Sequence, residues 1–398
     1  MTANLIAVLV HLPYLLILLV FVNRYLVGAF VRISKVRRIE PAEWPSVTVT
    51  IPCFNEGATI YQTVRSLAYM DYPQDRLVIH VIDDASGPDT RRALECAAAE
   101  TPNLIVTFRT TNQGKRLNLI DATREAKSEF ILSVDSDVIV ERDTLKELLR
   151  HMIPEVAAVG GAVRVANPDV NLLTRMQEIK YYIGYEFLKG LENRFGCVMC
   201  LSGCLTLFRR CVLREVERDL IGRNFLGYEV KYGEDRYLTR KIVERGHRTR
   251  LCQTAICYTK VPETFDTWFR QQLRWRRSNI VDFLGGWWNA HRLPLPVALH
   301  YTSLGTLLIL YPLTILHHAL SGEIVLPLAA HGVVAALLAS LYVGRSVMGG
   351  KGLHNSDPLP FLAMPILFMV NYLMVTPLAL LTLVTVNWET RSAEPSRR

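Results

Sequence analysis

Phe130-Ile-Leu-Ser-Val134 runs directly into Asp135-Ser-Asp137. An uncharged run bounded by polar residues and ending on two carboxylates reads as a buried strand that delivers acidic side chains at its carboxyl end. The same form recurs upstream. Val47 to Ile51, Val78 to Ile82 and Leu104 to Phe108 are short β-branched runs, and amphipathic stretches follow at Thr59 to Tyr69, Asp89 to Ala99 and Lys115 to Ala126, with a fourth at Thr144 to Met152. This alternation predicts an α/β unit, Rossmann-like, on a mostly parallel sheet. Ligands of such sheets bind beyond the carboxyl ends of strands. The polar motifs Pro52-Cys-Phe-Asn-Glu56, Asp83-Asp84, Asn112-Gln-Gly-Lys115 and Asp135-Ser-Asp137 all fall there.

Outward from this block the composition changes. The 398 residues are 50% hydrophobic and 21% charged, with a mean hydropathy of +0.18, which argues against a wholly soluble chain and excludes disordered and collagen-like classes. Four stretches lack Lys, Arg, Asp and Glu: Met1 to Asn23, Leu293 to Gly322, Ile324 to Gly344 and Pro358 to Trp388. Each is long enough to cross roughly 30 Å of hydrocarbon as a helix. Arg24, Arg32, Lys35, Arg37 and Arg38 follow the first, which places the central block in the cytosol by the positive-inside rule. No basic segment precedes that first run, so an anchor is expected rather than a cleaved signal peptide. The expected organisation is an N-terminal transmembrane helix over 1–31, a cytosolic α/β domain over 32–280, an interfacial helix over 281–296, three transmembrane helices within 297–388 and a tail over 389–398. Arg391, Arg397 and Arg398 then fall outside, against the rule, which leaves the last span re-entrant or interfacial.

All eight cysteines lie in the block assigned to the cytosol, where thiols stay reduced. Cys197, Cys200, Cys204 and Cys211 have a spacing that invites a zinc reading, but Val198, Leu201, Leu205 and Phe208 among them make buried thiols the better one. Dinucleotide, P-loop and zincin motifs are missing, as are internal repeats. The net charge of +8 includes a basic run from Arg236 to Arg250, yet Glu234, Asp235 and Glu244 interleave with it, so a solvated helix face is expected and not a nucleic-acid surface.

Asp135 and Asp137 at a strand end offer oxygen ligands to a hard cation that also holds substrate phosphate. Asp83 and Asp84 add acceptors for a ribose or base edge, and Lys115 behind Gly114 a point charge for phosphate. Together they describe a nucleotide-diphosphate site. Gly233-Glu-Asp-Arg236 opens a helical pattern, where Glu234 and Asp235 are either caps or a general base. Gln271-Gln-Leu-Arg274-Trp275 puts an amide, a guanidinium and an indole on one helical face, suited to pyrophosphate and a sugar ring or to a membrane interface.

The order Asp-Asp, Asp-x-Asp, Gly-Glu-Asp-Arg and Gln-x-x-Arg-Trp, bracketed by apolar spans, resembles the processive family 2 glycosyltransferases. Within them the chain is most similar to hyaluronan synthases and nodulation-type chitin-oligosaccharide synthases, through Phe195-Gly-Cys-Val-Met-Cys200, Phe225-Leu-Gly227 and Gln271-Gln-Leu-Arg-Trp-Arg-Arg-Ser278. The resemblance implies a GT-A catalytic domain at the inner membrane and UDP-GlcNAc as donor to a growing β-linked chain. It implies Asn55, Glu56, Asp83, Asp84 and Lys115 at the nucleotide-sugar, Asp135 and Asp137 at nucleotide and Mg²⁺ or Mn²⁺, and Asp235 as base. Gln271 and Arg274 would hold the leaving diphosphate, and Gly203, Cys204, Glu234 and Trp275 the acceptor. A homo-oligomer is a further expectation, because four spans are few for a channel.

The chain departs from the family pattern at Cys204, where Pro is usual, at Phe208, where Tyr is usual, and in Trp388-Glu-Thr-Arg391, which carries Glu for the Gly of the gating motif. The closest rival is non-processive transfer to a lipid acceptor, against which Gln271-x-x-Arg274-Trp275 argues. A non-catalytic sugar sensor is opposed by the intact Asp135, Asp137, Asp235 and Arg274.

Overall fold

The computed structural model describes residues 38–325 and 359–383 continuously, and residues 8, 11–16, 19, 327–330, 332, 333, 336 and 339 besides. They form two compact units, one of residues 33–166 and 192–260 and one of residues 1–32, 167–191 and 261–398. The block expected as a single domain over 32–280 is thus divided. The reason is apolar: Met176 and Ile179 pack with Trp268 and with Phe361, Met364 and Leu367 of the C-terminal part, taking their segments with them.

The first unit is an α/β sheet. Its strands are β1 Val47–Cys53, β2 Leu77–Asp83, β3 Leu104–Phe108, β4 Phe130–Val134, β5 Ile139–Val140, β6 Val156–Val165, β7 Leu205–Arg209 and β10 Arg248–Thr259, with a hairpin of β8 Asn224–Phe225 and β9 Tyr228–Glu229 apart from it. The order is β3-β2-β1-β4-β7-β6-β10-β5. Strands β1, β2, β3 and β4 pair in parallel, as the alternating pattern predicts, and β6 pairs in parallel with β10. Every residue of β1 and β4 is buried, the polar Thr48, Thr50 and Ser133 included, as in uncharged strands covered on both faces. The four expected helices lie at Thr59–Ala68, Pro88–Glu100, Lys115–Glu125 and Thr144–Arg150, within two residues of their sequence bounds at each end.

Strand β7 runs antiparallel between β4 and β6. The register pairs Val134 with Leu205, so the residues just before β7 stand beside the residues just after β4. An antiparallel strand starts where its neighbour ends, and this brings Ser202-Gly203-Cys204 to Asp135. Of the cysteines flagged by spacing, Cys197 is buried, Cys200 and Cys204 half-buried and Cys211 exposed. The basic run is largely neutralised at its own surface: Arg240 and Lys241 pair with Glu244, and Arg245 with Asp219 and Glu215.

The second unit is helical. Asn171 caps the Leu172–Tyr182 helix in a capping box with Thr174, and Thr264 accepts from the Thr267 amide at the start of the Phe265–Gly286 helix. The segment expected as one interfacial helix over 281–296 is divided: the long helix continues to Gly286, a 3₁₀ turn covers Trp287–Arg292, and a new helix opens at Leu295 behind Pro294. Paired glycines end the first helix and proline starts the next. Leu295–Leu320 is, among the described residues, the one helix long and apolar enough to cross a bilayer. The expected span Pro358 to Trp388 is broken where described, into helices Leu359–Val370 and Thr376–Leu381 around a π turn at Asn371–Val375. Pro377 stands in the first turn of the second helix, where its missing N–H is tolerated, and the Thr376 hydroxyl donates to the Asn371 carbonyl at 2.8 Å. The spans Met1 to Asn23 and Ile324 to Gly344 lie largely outside the described residues, and Trp388-Glu-Thr-Arg391 wholly so.

Candidate active site

Strand β1 lies between β2 and β4, and all three present loops at their carboxyl ends. Asn55, with φ 53°, bends the chain after β1; its amide donates to Ser86 Oγ at 2.9 Å and its side-chain oxygen accepts from the Gly87 amide at 2.9 Å. Asn55 tolerates the left-handed conformation and ties the loops after β1 and β2 together. Glu56 accepts from the Ser136 hydroxyl at 2.5 Å, between the two carboxylates of the Asp-x-Asp. Ser136, which sequence reasoning passed over as the variable middle residue, is therefore the link between the β1 and β4 loops.

Asp83 closes β2 and Asp84 follows it, and their surroundings differ. Asp84 accepts from the backbone amides of Gln113 and Gly114, at 2.9 and 2.7 Å, and so shapes the loop that presents Lys115. Asp83 is fully buried, neither of its oxygens meets a hydrogen-bond donor, and Arg91 Nε stands 3.8 Å away. A buried carboxylate with spare acceptors costs stability unless something donates to it. Asp83 thus keeps spare acceptors, and Asp84 fixes the Gln113-Gly114 loop.

Lys115 is the centre of the site. Its ammonium donates to Asp135 Oδ1 at 2.5 Å and lies 3.1 Å from Glu234 Oε1. Burial works against its charge, but Asp135 and Glu234 more than offset that and hold its pKa above the ordinary lysine value. Gly203 lies against it: a Cβ built there would sit 2.5 Å from Lys115 Nζ and 3.7 Å from both oxygens of Asp135. The Gly203 amide also faces Asp235 Oδ2, at 3.3 Å. The Thr239 hydroxyl joins the same parts, accepting from the Leu201 amide at 3.1 Å and donating to the Asp235 carbonyl at 2.7 Å. Thr239 shares a helical face with Asp235, four residues on, which is the one signal in the sequence that could have found it.

Glu234 and Asp235 open the Glu234–Glu244 helix behind Gly233, whose φ of 66° suits glycine. Their environments drive their pKa values apart. Burial raises Asp235, and the neighbouring Glu234 carboxylate raises it further. Burial also opposes charge on Glu234, yet Lys115 prevails and keeps it ionised. Cys204 has its backbone carbonyl 3.4 Å from the Asp135 amide, and burial, with Asp135 and Asp137 nearby, pushes its thiol far above the usual range. It is an inert neighbour of the carboxylates, not a nucleophile.

Asp135 and Asp137 supply only oxygen, and no group of three or more His, Cys, Asp or Glu side chains suited to a metal occurs among the described residues. Two carboxylates with the remaining positions left to phosphate and water fit Mg²⁺ or Mn²⁺ better than a structural zinc. We expect Gly203→Ala to force Lys115 aside and lower kcat/KM by about a hundredfold with the fold intact, since small misplacements of positioning groups cost that much. Steady-state kinetics with a melting curve check it.

In the helical unit, Gln271, Arg274 and Trp275 are half-buried on the Phe265–Gly286 helix, and Gln272 is buried. The Trp275 ring lies 6.4 Å from that of Tyr181, and Lys180 Nζ lies over it at 5.5 Å.

A mostly parallel sheet with an Asp-x-Asp at a strand end, a lysine against it and a half-buried acidic pair beside it suits a nucleotide-sugar. The profile described as "Glycosyltransferase like family 2" matches residues 45–278, and the chain belongs to that family. An N-acetylglucosaminyltransferase of Neorhizobium galegae is 30% identical over 89% of this chain and 82% of its own length; one of Rhizobium leguminosarum bv. viciae is 31% identical over 89% and 84%. Among solved structures, a mannosyltransferase from Pyrobaculum calidifontis, in complex with GDP-Man and Mn²⁺, aligns over 96% of this chain and 100% of its own, with a TM-score of 0.60 at 21% identity. That likeness shows the GT-A-like fold. The chain is an enzyme, a glycosyltransferase.

Proposed function

We propose that the protein transfers N-acetylglucosamine from UDP-GlcNAc, with inversion, to a growing β-linked saccharide. One observation carries the reading: Lys115, Asp135, Glu234 and the Gly203 amide converge, and Gly203 joins them to an Asp235 whose carboxyl is raised. A cation against a nucleotide-binding carboxylate, beside a carboxylate tuned upward, suits a leaving diphosphate and a hydroxyl that must lose its proton. The N-acetylglucosaminyltransferases at about 30% identity support the choice of sugar.

In this reading Asp83 holds the nucleotide, Asn55, Glu56 and Asp84 fix the loops around it, and Lys115 neutralises the diphosphate. Asp135 and Asp137 would hold Mg²⁺ or Mn²⁺, which supplies charge neutralisation at the phosphates. Asp235 takes the acceptor proton. Gln271 and Arg274 are assigned to the leaving diphosphate and Trp275 to the acceptor sugar; in the α/β unit, Gly203, Cys204 and Glu234 are assigned acceptor contacts of their own. The protein is a multi-pass inner-membrane enzyme with its catalytic unit in the cytosol, a placement supported by the Leu295–Leu320 helix and the basic residues after the first apolar stretch. Processive synthesis, of chitin-oligosaccharide or hyaluronan type, is supported by Gln271-x-x-Arg274-Trp275.

Product mass tests the reading. GlcNAc oligomers from UDP-GlcNAc alone identify a chitin-type enzyme, and a polymer formed only with added UDP-GlcA a hyaluronan-type one; a single transferred sugar would overturn processivity. A second expectation concerns pH. Because Glu234 raises Asp235, Glu234→Gln removes the like charge, lowers the Asp235 pKa and moves the acid limb of kcat against pH to lower pH. An acid limb that stays in place in this variant would show that Asp235 does not set it.

A further inference from the structure

Two consecutive residues of the Lys115–Glu125 helix hold the two ends of one short segment. Lys115 Nζ lies 3.1 Å from Glu234 Oε1, while Arg116 donates from Nη1 to the Val230 carbonyl at 2.7 Å and from Nη2 to Glu229 Oε1 at 2.8 Å. Between those ends Val230-Lys-Tyr-Gly233 belongs to no helix or strand, and it leads from the β8–β9 hairpin straight into the helix that bears Asp235. The buried Arg223 holds the middle. Its carbonyl accepts from the Val230 amide at 3.3 Å, its Nη1 donates to the Tyr232 carbonyl at 2.7 Å, and its guanidinium lies 4.5 Å from the centre of the Tyr237 ring.

The start of the Asp235 helix has little else to fix it. Gly233 precedes it at a φ of 66° and offers no side chain as a cap, and glycine leaves the backbone its greatest freedom. Where Asp235 stands therefore depends on what grips residues 229–234. A guanidinium fork shared between a carbonyl and a carboxylate is a directional two-point grip, which an ammonium reproduces only as a point charge. The Arg116 side chain is 13% exposed and that of Glu229 54%, so the bond to the Val230 carbonyl is the better shielded from water of the two. Arg116 also stands two residues beyond Gly114, whose amide Asp84 holds. One continuous set of contacts thus runs from the β2 end through the Lys115 loop to the residue pair Glu234-Asp235.

We propose that Arg116 is a positioning residue for the transfer, fixing the segment that carries Asp235 to the loop that carries Lys115. The inference rests on the reading of Asp235 as base and Lys115 as the cation at the donor phosphates. Arg116 spends its fork on the protein and meets neither sugar nor phosphate. Its loss therefore leaves the donor bound and misplaces the carboxyl that takes the acceptor proton.

Kinetics and calorimetry on the full-length protein in detergent test this, with UDP-GlcNAc as the probe. Arg116→Gln should lower kcat by about tenfold or more, as small misplacements of reacting groups do, while UDP-GlcNAc binds as before. Arg116→Lys should recover most of the loss, because an ammonium still reaches the Val230 carbonyl. Glu229→Lys changes an exposed position of the hairpin, so it leaves the core of the fold alone; its like charge should push the Arg116 fork off the segment and lower kcat in the same sense. An unchanged kcat in Arg116→Gln, or in Glu229→Lys should the first variant not fold, would overturn the proposal. So would a loss confined to donor affinity, which would make Arg116 a ligand of the nucleotide-sugar. UDP release by the unaltered protein and its loss in Asp235→Asn report separately on the reading beneath, since neither depends on Arg116.

Discussion

Asp235→Asn abolishes most of the transfer activity while donor binding persists. The loss in kcat is expected at about a thousandfold, the middle of the range for removing a positioned general base. The amide is nearly isosteric and keeps an oxygen for the Gly203 amide, so the helix start and the Ser202-Gly203-Cys204 segment stay in place. It cannot accept the acceptor proton. The variant also removes the charge of one of the two neighbouring carboxylates, leaving Glu234 paired with Lys115. UDP-GlcNAc should therefore bind with little change by calorimetry while product formation is lost. Full activity in Asp235→Asn would mean that the raised carboxyl is a cap at the helix start and that the base lies elsewhere.

Removing divalent metal is expected to have the second largest effect. With Lys115 as the cation recorded against Asp135, the protein offers one ammonium where a nucleotide-sugar brings two phosphates. Chelation should lower activity by about a hundredfold or more, in line with the several kcal/mol that metal charge contributes at a leaving phosphate. Added Mn²⁺ or Mg²⁺ should restore it. Asp137→Asn should reproduce the loss and resist restoration, because a carboxylate at the end of β4 is then missing. Activity unaffected by chelation would assign the whole of the phosphate charge to Lys115 and Arg side chains.

Half of the sheet, strands β1 to β4, was legible because these are short uncharged runs rich in β-branched residues, and β1 and β4 are buried throughout. The polar motifs sit at strand ends for the same topological reason, and this is how Lys115 and Asp135 come together. What periodicity does not carry is pairing between distant segments. That β7 is antiparallel and brings Gly203 to Lys115 depends on register, and nothing in Ser202-Gly203-Cys204 itself announces it. The different surroundings of Asp83 and Asp84 were hidden for a similar reason: consecutive residues at a strand end point to opposite sides, and the sequence does not say which meets the Gln113-Gly114 amides. The division of the block at 167–191 and 261 escaped because Met176, Ile179 and Trp268 look like any core residues until their partners are known. The π turn at Asn371–Val375 escaped because a window that weighs only charge and hydropathy does not register a change of helix type.

The most direct test of the central claim is UDP release by the purified protein, with Mn²⁺ present, on incubation with UDP-GlcNAc, UDP-glucose or UDP-GlcA singly, and of GDP release from GDP-mannose. The account predicts UDP from UDP-GlcNAc, dependent on Asp235 and Asp137, with the GlcNAc recovered in β-linkage. Release from GDP-mannose alone, or from none of the donors, would contradict it.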